Sequence, residues 1–170
     1  LVVVESEPQI APMKPVLSEF LQSLWDSGLR PSHAVQTVHY CTTDREENVE
    51  LTVSLLDRRF LAGDEAMFRW LDERFRLYVS KRGAAIADRL AALAQSRRAK
   101  FQDTVYQLEP NLKDGPGALR DLHTVNWLAA LSPRVDAPNL SDAFDFFSAL
   151  RVRMHESAGR DQNLLGFEIQ

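Results

Sequence analysis

The sequence predicts an α+β fold that is mostly helical. Two short apolar stretches near the N-terminus have the composition of strands: residues 1–4, with three consecutive valines, and residues 33–39, with alternating apolar positions. From residue 64 onward, apolar side chains recur at helical spacing over several long segments. The strands are short and the helical segments are long, so helices dominate the prediction.

Composition excludes several classes of protein. The chain has 170 residues, of which 45% are hydrophobic and 26% charged, which is ordinary for a soluble globular protein. A net charge of −4 argues against non-specific nucleic-acid binding. The single cysteine, Cys41, excludes an internal disulfide and a multi-cysteine zinc site. The sequence contains no apolar run long enough to span a membrane. It also shows no pattern typical of a secretory signal. We therefore expect a cytoplasmic protein with neither nucleic-acid nor membrane partners.

The first third of the chain is predicted to alternate strand and helix. After the strand at 1–4 and a loop at 8–15, residues 15–27 carry an apolar stripe at helical spacing. Gly28 stands where a helix C-cap is expected. The strand at 33–39 follows, and the acidic run at 44–50 is typical of a solvated helix face or loop.

Helices are predicted for the remainder. A helical segment at 51–56 leads to Gly63, and Asp64 is expected to cap the next helix, 64–80. Residues 81–83 are expected to interrupt it before a second helix at 84–103. The basic cluster at 97–100 of that helix meets phosphate, meets an acidic partner, or forms a solvated face. Helices at 118–131 and from Ser141 onward complete the chain, separated by a loop at 132–139.

The loop before residue 118 is the strongest candidate for a functional site. Residues 113–117, Lys-Asp-Gly-Pro-Gly, cannot form the middle of a helix or strand, and Pro116 suits a first helical turn. The loop therefore ends at a helix N-terminus, where unpaired N–H groups and the macrodipole favour an anion. Lys113 and Arg120 place two positive charges beside that terminus.

The same loop has a purely structural interpretation. Asp114 and Asp121 either orient those two bases, or hold a cation, or serve the loop itself. In the structural alternative Asp114 caps the helix, and Arg120 and Asp121 form ordinary ion pairs. Loops of this composition are common connectors.

Four blocks of sequence carry a family resemblance. LEPNLKDGPGALRDLHTVNW resembles the signature of the bacterial PII uridylyltransferase/uridylyl-removing enzymes, which related nucleotidyltransferases share. The blocks LWDSGLRPSHAVQT, LTVSLLDRRFLAGD and RMHESAGRDQNLLGFEIQ resemble three further family segments in the same order. Because the four blocks cover nearly the whole chain, it is identified as a member of this family.

The resemblance implies a domain organisation. Residues 1–62 correspond to the C-terminal part of a nucleotidyltransferase-like domain, in which the strand at 33–39 lies beside residues 1–4. Residues 63–170 correspond to a helical uridylyltransferase-associated domain. The family's Gly-Gly-x-Gly segment and Asp-x-Asp pair precede the first of these strands and fall outside the sequence. The uridylyl-removing hydrolase and glutamine-sensing domains fall outside it too.

The resemblance also implies a reaction. Family members transfer UMP from UTP to a tyrosine of the PII signalling protein with Mg²⁺, which requires hard oxygen ligands. Asp57 occupies an acidic family position and is the candidate third catalytic carboxylate, with a surface pairing to Arg59 as the alternative. His33 occupies the family's histidine position, as a nucleotide contact or as a structural residue. The remaining candidate nucleotide-binding residues lie in the loop: Asn111, Lys113, Gly115, Gly117, Arg120 and Asp121.

Two other functions stay open. The chain is either part of such a uridylyltransferase, a non-catalytic module that binds nucleotide or a partner protein, or part of a nucleotidyltransferase with another acceptor. Ala118 stands where the family has glycine, and its methyl group leaves less room for close approach to the loop backbone. The four histidines show no metal-site pattern.

Overall fold

The structure, a computed structural model, describes residues 1–29, 31–43, 49–132 and 138–170. Helices dominate this part of the chain, which confirms the predicted α+β, mostly helical class. The strands are β1 (Val2–Val4) and β2 (Val35–Thr37), and a short 3₁₀ turn spans Glu7–Gln9. The helices are α1 (Ile10–Asp26), α2 (Val38–Cys41), α3 (Val49–Leu56), α4 (Glu65–Ala99), α5 (Leu119–Leu131) and α6 (Ser141–Ala158). The predicted acidic run at 44–50 and the loop at 132–139 lie largely outside the described residues.

The two strands form a parallel pair. Val2 lies opposite Val35 and Val4 opposite Thr37, as the family resemblance implied. The second strand is shorter than the predicted interval 33–39, because the Thr37 hydroxyl accepts a hydrogen bond from the Tyr40 N–H at 3.1 Å and caps α2. His33 consequently lies in the coil before the strand and not on it.

Residues 1–81 form one compact unit. Its core is apolar, with the following side chains buried: Val4, Leu21, Val38, Val53, Leu55, Leu71 and Phe75. Helix α1 begins at Ile10, five residues earlier than predicted, and continues through Pro15. Pro12 lies within its first turn, where a missing N–H leaves no hydrogen bond unmade. Gly28 follows its end with φ of +83°, as expected of a C-cap glycine.

Helix α4 is a single helix of 35 residues, so the predicted interruption at 81–83 is wrong. A glycine such as Gly83 costs a helix interior about 1 kcal/mol relative to alanine, which weakens a helix without ending it. The Asp64 carboxylate accepts hydrogen bonds from the N–H groups of Ala66 at 2.7 Å and Met67 at 3.3 Å, which confirms the predicted cap. The helix stops at Ala99, since Gln102 and Asp103 have positive φ values of 58° and 50°.

Residues 82–170 form a second compact unit. Its buried apolar residues are Ile86, Leu90, Leu112, Leu119, Trp127, Leu131 and Met154. Helices α5 and α6 match the predicted segments, and α6 ends at Gly159 in the left-handed conformation. The family-based division at residues 62 and 63 stays a prediction. Within the described residues, no helix is both long and apolar enough to span a membrane.

Candidate functional site

Asn111 organises the loop that carries most of the candidate residues. Its side-chain oxygen accepts hydrogen bonds from the N–H groups of Lys113 at 3.0 Å and Asp114 at 2.8 Å. Its main-chain oxygen accepts one from the Gly115 N–H at 3.0 Å. A side chain of this kind that binds its own backbone stabilises a tight turn. Asn111 therefore has a structural role in addition to the nucleotide contact predicted for it.

The N-terminus of α5 does not present unpaired N–H groups. The N–H groups of Leu119 and Arg120 donate to the carbonyl oxygens of Leu112 and Lys113, at 3.2 and 2.8 Å. Those of the next two residues, 121 and 122, donate to the Ala118 oxygen. The expectation of an anion site made by these groups is thus wrong, because the loop doubles back and its own carbonyls satisfy them. Pro116 lies before the N-cap, Ala118, and not in the first helical turn.

Asp121 links the loop to α4. One carboxylate oxygen accepts a hydrogen bond from the Gly117 N–H at 2.8 Å, and the other forms an ion pair with Arg97. The side chains of Arg97 and Asp121 are only 17% and 20% exposed. Arg98 lies further away, with Nε at 4.0 Å from Asp121 and 3.0 Å from Asp103. The sequence predicts Lys113 and Arg120 as the bases that Asp121 orients, whereas in the structure its partner is Arg97, a member of the basic cluster at 97–100.

Arg120 pairs with Asp114 instead. Arg120 Nε lies 3.5 Å from the Asp114 carboxylate, and the two side chains are 38% and 41% exposed. Asp114 is therefore an ion-pair partner and not the predicted helix cap. Lys113 is partly buried, and no described residue makes an ion pair or hydrogen bond with its ammonium group. The loop consequently offers one unpaired cation, Lys113, and one in an exposed pair, Arg120.

The C-terminal segment closes the other side of the loop. Asn111 and Leu164 form an antiparallel bridge, in which the Leu112 N–H donates to the Asn163 oxygen at 2.8 Å. The Phe167 N–H donates to the Glu109 carboxylate at 3.1 Å. Two of the four blocks that carry the family resemblance are therefore in contact. Sequence reasoning missed this contact because main-chain bridges between distant segments leave no local pattern.

The other two candidate residues lie in the first compact unit. His33 is exposed in the coil before β2, and Asp57 is exposed directly after α3. Neighbouring Arg58 pairs with Asp72, and its guanidinium lies 4.6 Å from the centre of the Phe75 ring. The six loop candidates come together in the second unit. The roles predicted for all eight residues stay predictions.

The described residues do not form a magnesium site by themselves. No three carboxylate, histidine or cysteine side chains among them are grouped as metal ligands. Asp57 supplies one hard oxygen donor group at most, whereas Mg²⁺ prefers six oxygen ligands, of which several are water or phosphate oxygens. Asp57 could therefore supply only one part of a magnesium coordination shell.

Two histidines near the loop have structural contacts. The His123 ring stacks on Trp127, with 5.4 Å between ring centres, and meets the edge of Phe144 at 4.9 Å. His155 Nδ1 lies 3.4 Å from the Asp161 carboxylate, and its Nε2 is buried with no hydrogen-bond partner in the described structure. Packing accounts for His123, and the Asp161 pairing orients the ring of His155.

The chain is similar in sequence to known proteins along most of its length. A family model described as GlnD PII-uridylyltransferase matches residues 84–138, which include the loop and α5. The chain is 33% identical over 91% of its length to the bifunctional uridylyltransferase/uridylyl-removing enzyme of Thiobacillus denitrificans, and 34% identical over 91% to that of Caulobacter vibrioides. With the enzyme of Burkholderia orbicola it shares 33% identity over its full length.

The match covers only part of each relative. The chain spans 20% of the Thiobacillus protein, 18% of the Caulobacter protein and 21% of the Burkholderia protein. No solved structure matches the chain significantly. In the region that it spans, the chain is thus similar to the PII-uridylyltransferases.

Proposed function

We propose that this chain is part of a cytoplasmic nucleotidyltransferase that transfers UMP from UTP to the PII protein. The observation that carries the proposal is the 33–34% identity over at least 91% of the chain to enzymes named as uridylyltransferases. The whole reaction belongs to a longer protein, since the chain spans about one fifth of these relatives. Within it, we assign the phosphate contacts to the loop cations.

In the proposed reaction, a tyrosine phenolate attacks the α-phosphorus of UTP and pyrophosphate leaves. Negative charge accumulates on the phosphate oxygens, and positively charged groups placed beside them lower the barrier. Mg²⁺, when bound, supplies part of this neutralisation. We assign a further part to Lys113 and Arg120, and a carboxylate role at the metal to Asp57.

The contacts of the two loop cations support this assignment. Lys113 has no competing carboxylate partner in the described structure. Arg120 is paired with Asp114 at 3.5 Å, but an exposed ion pair of this kind contributes only about 0.2–1 kcal/mol. Arg120 can therefore exchange Asp114 for a phosphate group at small cost, and a guanidinium holds phosphate with two parallel hydrogen bonds.

A non-catalytic binding module is the second candidate function. It is favoured by the closed hydrogen bonding of the loop, whose helix N–H groups are all used internally. In this alternative the loop maintains the surface that meets a partner protein, and the cations Lys113 and Arg120 have no phosphate to bind.

Calorimetric titration of the 170-residue chain with UTP and with ATP, with and without Mg²⁺, tests the proposal. We expect magnesium-dependent binding that favours UTP. Lys113→Ala and Arg120→Ala should each weaken it roughly tenfold or more with little change in melting temperature, since a hydrogen bond to a charged group contributes about 1.5–3 kcal/mol.

Lys14→Ala is the control for loss of one positive charge. Lys14 is exposed on α1, far in sequence from the loop, and its removal should leave the affinity for UTP unchanged. Absence of binding by either nucleotide would contradict the proposal for this chain. A large fall in stability for Arg120→Ala with unchanged affinity would favour the binding module.

A further inference from the structure

We infer that Arg97 is a positioning residue, which holds the loop cations in place through Asp121 and Gly117. This inference rests on the proposed function, because it concerns the same loop and its phosphate contacts. Arg97 touches neither Lys113 nor Arg120 through any hydrogen bond or ion pair in the described structure. Its effect passes through the backbone of the loop.

The chain of contacts begins on a rigid element. Arg97 lies in the last turn of α4, and its guanidinium pairs with one oxygen of the Asp121 carboxylate in the first turn of α5. The second oxygen of the same carboxylate accepts the Gly117 N–H at 2.8 Å. One carboxylate therefore connects the end of a long helix to the backbone of the loop.

At Gly117 the hydrogen bond to Asp121 fixes the path of the loop backbone. It has φ of +76°, a conformation that non-glycine residues rarely adopt, and directly precedes the N-cap Ala118. On the far side of this turn, the Arg120 N–H donates to the Lys113 oxygen at 2.8 Å. A change in the path of Gly117 therefore alters the separation of the two residues that carry the cations.

No neighbouring base can replace Arg97. Arg98 is 46% exposed and pairs with Asp103 at 3.0 Å, and its distance of 4.0 Å from Asp121 is at the limit for an ion pair. The Arg97 side chain is 17% exposed, and its Nε is buried with no hydrogen-bond partner among the described residues. A buried donor without a partner is unfavourable. Hydration therefore does not account for the position of this guanidinium, and its pair with Asp121 does. Among the described residues, the polar partner of the Arg97 side chain is Asp121.

The first unit contains a comparable pair. Arg58 pairs with Asp72, the two side chains are 15% and 23% exposed, and the Arg58 Nε is likewise buried without a partner. Arg58 and Asp72 belong to the first unit and are not members of the Arg97–Asp121–Gly117 series of contacts. Arg58→Met is therefore a matched control for the structural cost of removing a partly buried guanidinium.

Amide hydrogen exchange at Gly117, followed by NMR, tests the positioning role directly. Both Arg97→Met and Arg58→Met should lower the melting temperature. Only Arg97→Met should raise the exchange rate of the Gly117 amide, by about tenfold. In the unaltered chain, local opening of the loop must break the Arg97–Asp121 pair, whereas in this variant no such pair opposes opening. The same variant should weaken Mg²⁺-UTP binding, and Arg97→Lys should restore part of the affinity.

A double-mutant cycle with Asp121→Asn completes the test. If Arg97 acts through Asp121, the Arg97→Met/Asp121→Asn protein should lose no more UTP affinity than the more affected single variant. Unchanged exchange at Gly117 in Arg97→Met, or an equal rise in Arg58→Met, would overturn the inference. If the unaltered chain does not bind UTP, the proposed function fails, whereas the exchange measurement still decides whether Arg97 holds the loop.

Discussion

At Gly115 the main chain of the loop folds back so closely that no side chain fits. A Cβ atom at this position would lie 2.6 Å from the Asn111 carbonyl oxygen, which accepts the Gly115 N–H. Asn111 itself is needed as an acceptor for two further N–H groups, and Gly117 has a positive φ. Local backbone geometry thus accounts for three of the candidate nucleotide-binding residues at the scale of the single residue.

Gly115→Ala should therefore destabilise the second unit. We expect a loss of about 1–3 kcal/mol in the free energy of unfolding, because the nearest atom is backbone and can move only by opening the turn. Gly166→Ala is the control, since its added Cβ would meet the end of the Glu109 side chain, at 3.1 Å, and not the backbone. Denaturant unfolding measures both; equal and small losses would mean that the turn adapts.

Cys41 predicts an alkaline pH dependence of stability. Burial raises the pKa of its thiol from 9.0 to about 11, and the side chain is only 3% exposed. Between these values the unfolded chain releases the proton and the folded chain keeps it, so stability falls as pH rises. The expected loss is roughly 2–3 kcal/mol over this interval, at about 1.4 kcal/mol for each pKa unit.

The control for this prediction is Cys41→Ala. Other groups also titrate at alkaline pH, so the measured quantity is the difference in unfolding free energy between the two proteins as a function of pH. That difference should be constant below pH 9. Between pH 9 and 11 the unaltered protein should lose unfolding free energy relative to Cys41→Ala. A difference that does not change with pH would show that burial does not raise the pKa of the Cys41 thiol.

At the scale of the element, α1 shows how a periodic stripe divides between buried and exposed positions. The sequence gives Phe20 and Leu21 the same apolar character, yet Leu21 is 4% exposed and Phe20 is 58% exposed. Val16 is 69% exposed on the same helix. The stripe predicts the helix correctly, but it includes apolar positions that the described core does not bury.

This difference predicts unequal effects of alanine substitution at adjacent positions. Leu21→Ala should cost about 2–5 kcal/mol of unfolding free energy, because it leaves a cavity in the core. Phe20→Ala should cost less than about 1 kcal/mol, since most of its ring is already in water. Thermal and denaturant unfolding of the two variants check this, and a larger loss for Phe20→Ala would contradict the arrangement of α1.

At the scale of the whole molecule, charge sets the choice of partner. The net charge of −4 repels a polyanion, and non-specific nucleic-acid binding requires several phosphates to be neutralised at once. The cations near the loop are also largely matched by acids, as in the Arg97–Asp121, Arg98–Asp103 and Arg120–Asp114 pairs. A single nucleotide, which needs only one or two cations, fits this balance better than a nucleic acid.

We accordingly expect no binding to single- or double-stranded DNA at micromolar protein and physiological salt. Fluorescence anisotropy with labelled 30-residue oligonucleotides measures this, with a labelled UTP analogue and Mg²⁺ as the comparison ligand in the same buffer. DNA binding that weakens steeply with added salt would contradict the prediction and would indicate a basic surface that the net charge conceals.

Features encoded by neighbouring residues were predictable from the sequence. The helices at α5 and α6 follow from apolar spacing, and the Asp64 cap follows from a carboxylate just before a helical stripe. The family resemblance implied that the two strands lie side by side, which the structure confirms, whereas their parallel direction came from the structure. The helix and cap signals lie within a few positions along the chain, whereas the strand pairing was implied by the family resemblance alone.

Only the tertiary structure decided how the site is held. Arg97 and Asp121 are 24 residues apart, and Glu109 and Phe167 are 58 apart, so no local pattern pairs them. The satisfied N–H groups of α5 likewise depend on carbonyls that a folded-back loop supplies. Local sequence specifies the propensity of each segment, whereas the choice of partner depends on which distant groups packing brings within hydrogen-bond distance.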